Sequence, residues 1–415
     1  MTDFHSQPVT SCQACGSGAL TSVFFVGYIP PVNTMPPLGD RPGAEETYPL
    51  ELVRCGDCGL VQIGFEVDKR ILFPPDYPYR SNSTRILREN FAQLFEETRD
   101  LLGLKAGDLV VDIGSNDGTL LSSFHAGGLR VLGIEPSRAA DDANAKGIQT
   151  RMAYFTGDEA RSVRAEFGAA KLVTAANVFA HIANIGSIID GITDLLDDDG
   201  VFVSESHYLL PFVETLQYDT IYHEHLRYYH LGALKALLER HGLEVFHARS
   251  IPTHGGSIRV YAGRPGRHPI NPSVQTFLEE EMRQGLADGS VFVDFRSRVA
   301  QTKLDLLAML ADIKREGKRV YGLGAPSRAT TLINYVGLDD FLIDCVLEIS
   351  TSPKVGRFIP GTRIPVLDEA RLFSDPPDYT LLLSWHIAPE LTRKLRDKGY
   401  KGKFIVPLPH PMIMD

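Results

Sequence analysis

The sequence has no long apolar run, no excess of basic residues and few cysteines, and each absence narrows the possible functions. No stretch of the 415 residues approaches the ~20 consecutive apolar residues that cross a bilayer. Lysine and arginine total 42 against 52 aspartates and glutamates, and the net charge of −10 argues against a nucleic-acid partner. Residues 1–11 have neither a basic start nor an apolar segment, so we predict no secretory signal and expect a cytoplasmic protein.

The sequence also lacks internal repeats and low-complexity tracts. Its hydrophobic content of 43% and charged content of 23% are ordinary for a globular chain, and its length predicts two or three domains. We expect a cysteine module over 1–70, a central domain over 71–265 and a C-terminal domain over 266–415.

Four of the five cysteines form two C-x-x-C pairs, each followed by glycine, and only Cys345 lies outside them. Two thiolates on one tight turn can reach the same ion, and four complete a tetrahedral Zn²⁺ with no open position. The sequence therefore predicts a structural zinc site. A disulfide pair or redox motifs are the alternatives, which the absence of a secretory signal disfavours. The predicted ligands are Cys12, Cys15, Cys55 and Cys58.

Proline-rich stretches at 27–39 and 73–83 predict irregular loops, the second of which contains Tyr77 and Tyr79. A helix is predicted over 83–102, and a long helical stretch over 274–315. Two sets of short apolar strands alternating with helical patterns predict an α/β fold with a doubly wound parallel sheet and a second, smaller Rossmann-like domain. The predicted strands are 109–114, 130–135, 171–177, 200–205 and 257–262 in the first set. In the second set they are 344–348, 379–385 and 403–407, preceded by a strand and glycine loop over 319–327.

The segment V-D-I-G-S-N-D-G-T at 111–119 closes a predicted strand and opens a helix, and Glu135 ends the next strand. It resembles the S-adenosylmethionine site of class I methyltransferases, with Glu135 on the ribose hydroxyls. The alternative is a nicotinamide dinucleotide loop, but that needs G-x-G-x-x-G, and a carboxylate-rich loop suits a cationic sulfonium better. The resemblance implies these cofactor-binding residues: Asp112, Gly114, Asn116, Asp117, Gly118, Glu135, Asn177, Phe179 and His181. His181 alternatively begins a helix without a further role.

The segment Y-H-E-H-L-R-Y-Y-H at 222–230 is dense in titratable and aromatic residues. It is not H-E-x-x-H, so a zinc-protease site is not supported. Histidine titrates nearest neutrality, which favours acid–base chemistry here. The alternative is an exposed polar helix start with no role.

Three further loops could bind a ligand or simply form turns. They are T-H-G-G-S-I-R at 253–259, Y-G-L-G-A-P-S-R at 321–328 and a polar, basic loop at 348–361. Two glycines after a strand are common in α/β proteins, so each signal is weak alone. The candidate substrate-binding residues are His254, Gly255, Ser257, Arg259, Gly324, Ser327, Arg328, Glu348, Lys354 and Arg357.

The order of these motifs along the chain resembles the nucleotide-sugar C-methyltransferases of deoxysugar and antibiotic biosynthesis, the mycarose-type enzymes among them. That family methylates C3 of dTDP-4-keto-deoxysugars, and the resemblance covers nearly the whole chain. It implies His225 as the base that removes the C3 proton, supported by Glu224. Tyr222, and Tyr77 or Tyr79, would hold the sugar or donate to the enolate oxygen. The zinc would stay structural.

One departure from the family pattern leaves a second activity open. Many relatives have G-A-P-A-K-G in the last glycine loop, where this chain has G-A-P-S-R-A at 324–329. An added 4-ketoreductase activity using NADPH is one alternative, although the full G-x-G-x-x-G is missing. A small-molecule O- or N-methyltransferase is another.

Overall fold

A computed structural model describes residues 5–41, 43–72 and 85–415. Tyr77 and Tyr79 lie outside these residues. Within the described ranges, no helix combines the length and the apolar character needed to cross a membrane.

The elements follow one another along the chain in three groups, each with its own sheet. The strands are β1 Gln7–Pro8, β2 Leu20–Ile29, β3 Tyr48–Cys55, β4 Val61–Ile63, β5 Phe65–Glu66, β6 Leu109–Ile113, β7 Arg130–Ile134, β8 Thr150–Arg151, β9 Ala170–Ala176, β10 Leu196–His207, β11 Arg227–Tyr228, β12 Glu244–Ile251, β13 Ser257–Gly263, β14 Val320–Leu323, β15 Cys345–Glu348, β16 Arg357–Phe358, β17 Pro365–Asp368, β18 Tyr379–Leu382, β19 Lys403–Val406 and β20 Met412–Met414. The helices are α1 Lys69–Leu72, α2 Arg85–Leu102, α3 Thr119–Ala126, α4 Ala139–Ala145, α5 Gly157–Phe167, α6 Ile185–Leu195, α7 Leu209–Glu214, α8 Leu231–Arg240, α9 Pro272–Arg283, α10 Val291–Arg315, α11 Ser327–Val336, α12 Arg371–Ser374 and α13 Ala388–Asp397.

The N-terminal module is built on an antiparallel sheet of order β11-β4-β3-β2. Its outermost strand, β11, comes from the central domain and pairs Arg227 with Gln62 and Tyr228 with Val61. The predicted Pro-rich loop begins later than expected, because β2 continues through Ile29. Backbone bonds then tie this loop to the C-terminal domain, from Leu38 N to Gly356 O at 2.9 Å.

The central sheet has the order β12-β13-β10-β9-β6-β7-β8. Strands β10, β9, β6, β7 and β8 are parallel, as the alternation predicts, whereas β13 is antiparallel to both its neighbours. The fully parallel expectation is therefore wrong at this edge. The reason is that only residues 252–256 join β12 to β13, which is too short for a parallel crossover.

The C-terminal sheet has the order β16-β17-β15-β14-β18-β19-β20, with five parallel strands in its middle and antiparallel β16 and β20 at its edges. Strand order reverses at β14, since β15 and β18 lie on either side of it. Ligands of such sheets bind at the carboxyl ends of the strands where the order reverses, which places the 324–328 loop at the expected position.

The predicted helical stretch over 274–315 consists of two helices, α9 and α10. Gly285 and Gly289 separate them, with φ of 73° and 82°, a left-handed conformation that a continuous helix cannot contain. The break lets α10 pack against all three groups of elements. Phe295 of α10 lies 5.7 Å from the Phe24 ring of the N-terminal module and 5.4 Å from the Phe212 ring of the central domain.

Candidate active site and metal centre

The four knuckle cysteines converge on one point in the N-terminal module. Their Sγ atoms lie within 4.8 Å of one another, with 3.5 Å from Cys12 to Cys58 and 3.6 Å from Cys15 to Cys55. Four sulfurs at about 2.3 Å from a tetrahedral Zn²⁺ stand about 3.8 Å apart, so the donor set fits this ion. Thiolates would hold it with no open position, which makes the site structural.

Both knuckles have the same backbone hydrogen bonds, because both have glycine after the second cysteine. Gly16 N donates to Cys12 O at 2.8 Å, and Gly59 N donates to Cys55 O at 3.1 Å. The two glycines have φ of 76° and 75°, which favours glycine over any other residue. A hydrogen bond with Cys58 lowers the pKa of Cys12 to about 5 and raises the pKa of Cys58, as expected for thiols packed to share one cation.

The loop after β6 turns at glycines that pack closely against neighbouring side chains. Gly114 has φ of 69°, and a Cβ there would lie 2.6 Å from Val178 Cγ2. Asn116 also has positive φ, 51°, and its backbone N–H donates to Glu135 Oε2 at 3.0 Å. Glu135 is thus placed at the end of β7 beside the loop. Gly118 ends the loop, with φ of 74°, at the N-terminus of α3.

The two aspartates of this loop have different surroundings. Asp112 is buried at the end of β6 and accepts from Thr174 Oγ1 at 2.7 Å. Burial raises its pKa to about 7, with smaller contributions from the Glu135 and Glu205 carboxylates and a partial offset from the Thr174 bond. Asp117 instead accepts from Thr119 Oγ1 at 2.6 Å and from Lys146 Nζ at 3.1 Å, so its carboxylate stabilises the start of α3.

The segment after β9 turns sharply above the same edge of the sheet. Asn177 has φ of 58°, which places it in the strained left-handed region. Phe179 is fully buried and stacks on Phe202 at 5.2 Å, so it packs in the core. His181 precedes α6, which begins at Ile185 with Asn184 as its cap, and is not itself the helix start.

The three histidines of Y-H-E-H-L-R-Y-Y-H point to three different places. His223 is buried against Tyr48 of the N-terminal module, with ring centroids 6.0 Å apart. His230 is buried between Glu281 at 2.9 Å and the Gly59 carbonyl at 3.2 Å. Only His225 is partly exposed. The segment is a turn followed by β11, so the alternative of an exposed helix start is wrong.

His225 is held by hydrogen bonds at both ring nitrogens. Its Nδ1 lies 3.0 Å from the Thr220 carbonyl oxygen, and its Nε2 lies 2.8 Å from the Tyr222 hydroxyl. A carbonyl only accepts, so Nδ1 carries the proton and Nε2 accepts from Tyr222. Burial holds the pKa of His225 well below its usual value, and His181 adds to this, with ring centroids 5.0 Å apart. The imidazole is therefore uncharged near neutral pH, and its unprotonated Nε2 faces the partly exposed Tyr222.

Glu224 connects this turn to the N-terminal module. Its Oε1 accepts from the Asn33 amide at 2.6 Å. The His225 ring nitrogen that does not contact Tyr222 is bonded to the Thr220 carbonyl. Burial lowers the pKa of Lys354, and the nearby Glu348 and Glu224 carboxylates partly offset this. Residues of all three groups of elements therefore meet around Glu224.

The C-terminal glycine loop repeats the geometry of the first one. Gly324 has φ of 82°, and the next N–H, from Ala325, donates to Glu348 Oε2 at 2.7 Å, just as Asn116 donates to Glu135. Lys354 Nζ donates to the Ala325 carbonyl at 2.7 Å. Two β-α units thus each present a strand-end carboxylate beside a glycine loop.

The remaining predicted substrate residues differ in their exposure to solvent. His254 is exposed, with φ of 56°, and the Gly255 carbonyl accepts from Gln217 at 2.7 Å. Ser257 and Arg259 are fully buried. Arg259 is bonded to Glu205 at 2.7 Å, and also to Glu97 and Asn90, so its charge is balanced within the central sheet.

Two C-terminal arginines are bonded to other parts of the chain. Arg357 donates to the Met35 carbonyl at 2.9 Å. Arg328 is buried and paired with Asp219 of the central domain at 2.7 Å. Ser327 begins α11 beside it and is partly exposed.

Comparisons with protein-family models and with a related protein agree with this architecture. Family models match residues 12–73 as "Putative zinc binding domain", 79–248 as "Methyltransferase domain" and 252–409 as "C-methyltransferase C-terminal domain". C-methyltransferase NovU from Streptomyces niveus is 33% identical over 413 residues, which are 98% of this chain and 97% of that protein. The chain belongs to the C-methyltransferase family. The resemblance to sugar C-methyltransferases is thereby confirmed at the level of the family.

Solved methyltransferase structures give only distant matches to this C-methyltransferase. Magnesium protoporphyrin IX methyltransferase from Synechocystis PCC 6803 is 16% identical, covers 43% of this chain and 82% of its own, and has a TM-score of 0.33. A methyltransferase from Clostridium acetobutylicum is 12% identical, covers 45% and 94%, and has a TM-score of 0.37. At TM-scores this low, neither likeness supports an inference about the site.

The chain is an S-adenosylmethionine-dependent C-methyltransferase, and the 112–118 loop remains the predicted place for its cofactor. Glu135 presents its carboxylate at this loop, where it accepts from the Asn116 N–H. Sequence reasoning missed Asn33, Asp219 and Thr220, which support the histidine turn. No motif marks them: Asn33 lies in a proline-rich loop and Thr220 acts through its carbonyl.

Replacing Glu135 by alanine is expected to weaken binding of S-adenosylmethionine by roughly 1.5–3 kcal/mol, the range for a hydrogen bond to a charged group. The Asn116 N–H would also lose its acceptor. Calorimetry on the variant, with Glu135→Gln as the shape-matched control, measures this. Unchanged affinity in Glu135→Ala would remove Glu135 from the site.

Acidification is expected to destabilise this C-methyltransferase below pH 6.5. Burial lowers the pKa of His181 to about 4, of His207 to about 3 and of His386 to about 2. Between these values and about 6.5 the unfolded chain binds protons that the folded chain does not, so stability falls as pH falls. Asp112 has the opposite effect on stability, because its raised pKa lets the folded chain bind one proton more readily than the unfolded chain as the pH falls.

Urea unfolding with zinc present, at pH 7 and pH 5, measures the acid effect. The midpoint should be lower at pH 5, and His207→Gln should reduce the difference. A midpoint that stays constant or rises at pH 5 would contradict the assignment of neutral buried histidines.

Proposed function

We propose that this C-methyltransferase methylates C3 of a dTDP-4-keto-deoxysugar through an enolate. The observation that carries the proposal is the His225 turn: a neutral imidazole whose Nε2 accepts from Tyr222 and whose ring lies 5.0 Å from that of His181, in the segment after β9. A carbon nucleophile must be made by deprotonation, and this turn offers a base with its proton acceptor fixed in place.

The proton balance is simple. A ketone at C4 acidifies the C3–H bond, His225 Nε2 takes that proton, and the electron pair of the broken bond forms the enolate. The enolate carbon then bonds to the methyl group, which S-adenosylmethionine supplies as its sulfonium becomes a neutral thioether. The low pKa of free His225 makes it a weak base alone, but the imidazolium and the enolate form together and stabilise each other in a poorly solvated cleft.

Tyr222 suits the second task of this reaction. Nε2 has one lone pair, so the Tyr222 hydroxyl must turn away from it before Nε2 takes the C3 proton, and that hydroxyl is then available to donate elsewhere. It could then stabilise the C4 oxygen as charge develops there. The predicted contributions of Tyr77 or Tyr79 remain part of this proposal.

The C-terminal loop supports a nucleotide substrate. Glu348 occupies the position that Glu135 has beside the cofactor loop, which suits ribose hydroxyls, and Lys354 and Ser327 lie at the same strand ends. The predicted contributions of His254 and Gly255 to substrate binding remain part of this proposal. An NADPH-dependent reduction is not proposed, because no comparison supports a nicotinamide site.

Incubation with ¹³C-methyl S-adenosylmethionine and a dTDP-4-keto-2,6-dideoxy sugar tests the proposal. The expected product has its labelled methyl bonded to C3, seen by carbon–carbon coupling, with the C4 ketone retained. A methyl on oxygen, or no product with several 4-keto sugar nucleotides, would contradict it. Adding NADPH should cause no loss of its absorbance.

A further inference from the structure

The segment 218–221 of the central domain is held by helix α11 of the C-terminal domain. Arg328 donates from Nε and from a terminal nitrogen to the two oxygens of Asp219, at 2.7 Å each. Trp385 Nε1 donates to Asp219 at 2.8 Å, and the Arg328 guanidinium lies 4.9 Å from the Trp385 ring. Asp219 is fully buried, so this carboxylate cannot contact a substrate.

A second contact holds the other side of the same segment. Thr331, one turn further along α11, donates from Oγ1 to the Ile221 carbonyl at 2.7 Å and is fully buried. Two side chains of one helix are therefore hydrogen-bonded to residues 219 and 221. The residue between them is Thr220.

The Thr220 carbonyl is the acceptor that fixes the tautomer of the His225 imidazole. It receives the His225 Nδ1 proton at 3.0 Å and the Tyr228 hydroxyl at 3.1 Å. A histidine free of this bond can carry its proton on either nitrogen. With the proton on Nε2, the ring would present no basic nitrogen to Tyr222.

We propose that Asp219, Arg328 and Thr331 are positioning residues that keep His225 in the Nδ1–H tautomer with Nε2 basic. The proposal rests on the proposed function of His225 as the base. In this proposal Arg328 binds Asp219 and donates to His386 Nδ1, 3.0 Å away, and does not bind a substrate phosphate. The C-terminal domain thereby acts on the proton transfer itself, through Thr220.

Thr331→Val and Asp219→Asn test this, with Thr331→Ser as the rescue that keeps the hydroxyl. Arg319→Lys is a matched control, because Arg319 pairs with Asp375 on the exposed surface of the same domain. Each variant is compared for kcat, for KM of the sugar nucleotide, for affinity for S-adenosylhomocysteine and for thermal unfolding. Imidazole ¹⁵N shifts of histidine-labelled protein, assigned with His225→Gln, report the tautomer.

Thr331→Val and Asp219→Asn should lower kcat by up to about 100-fold, the cost of a misplaced catalytic group. Their His225 signals should change from the Nδ1–H pattern towards a mixture of tautomers, with KM unchanged. Thr331→Ser and Arg319→Lys should match the wild type. If Asp219→Asn does not fold, Thr331→Val alone decides the matter.

The outcomes separate this inference from the proposed function. Folded Thr331→Val with a wild-type tautomer and wild-type kcat, or a loss confined to KM, would overturn the positioning role while leaving His225 as the base. If His225→Ala itself exchanges the C3 proton as fast as wild type, the proposed base is wrong and the positioning role falls with it.

Discussion

Replacing His225 by alanine is expected to lower turnover by about 100- to 10,000-fold, the usual contribution of a positioned base. Affinity for S-adenosylmethionine should stay nearly intact, because the predicted cofactor loop at 112–118 is a separate element. Steady-state kinetics and calorimetry on the same preparation measure both quantities. The effect should appear in kcat, since the lost interaction is made in the transition state.

His410→Ala is the matched control for this variant, because His410 is exposed near the end of the chain. Tyr222→Phe should also lower turnover, since it removes the hydroxyl bonded to Nε2. If His225→Ala retains wild-type turnover, the base is not the imidazole, and Glu224 or Tyr79 becomes the next candidate.

Replacing Cys12 by serine should abolish zinc binding and unfold the N-terminal module before it affects the chemistry of methyl transfer. Structural zinc sites contribute about 10–16 kcal/mol of apparent binding free energy in small domains. The consequences should reach the active site, because β4 pairs with β11 and Asn33 is bonded to Glu224. Turnover should therefore fall as a consequence of this unfolding and only after it.

Metal analysis by mass spectrometry, alongside thermal unfolding, measures the effect of the cysteine substitution. Protein purified without chelator should contain one zinc per chain, and Cys345→Ser should retain it, because Cys345 lies in β15. A Cys12→Ser protein with full zinc content and an unchanged melting temperature would show that the four cysteines are not the ligand set.

The features that local sequence determines were predictable. A C-x-x-C-G segment folds into its own knuckle, and an apolar run ending in glycine forms a strand and loop, so the zinc ligands and both glycine loops lie where the motifs indicate. The glycines at 285 and 289 were an available signal for the break between α9 and α10. Helical periodicity of the apolar residues does not reveal this break.

The features that depend on distant contacts were not predictable from motifs. Glu224 was expected to orient His225, but the fold brings the Thr220 carbonyl to the ring and Asn33 to the carboxylate. Arg259 and Arg328 read equally well as phosphate ligands, because a motif does not show that Glu205 and Asp219 lie opposite them. Pairing of buried charges is decided by tertiary structure, where an unpaired charge is costly.

Exchange of the C3 proton with deuterated water tests the central claim most directly. The measurement uses the dTDP-4-keto sugar with S-adenosylhomocysteine in place of the methyl donor, so that only deprotonation can occur. Wild-type protein should replace the C3 proton by deuterium, and His225→Ala should do so about 100- to 10,000-fold more slowly. Absence of exchange in the wild type, or equal exchange in the two proteins, would contradict an enolate formed by His225.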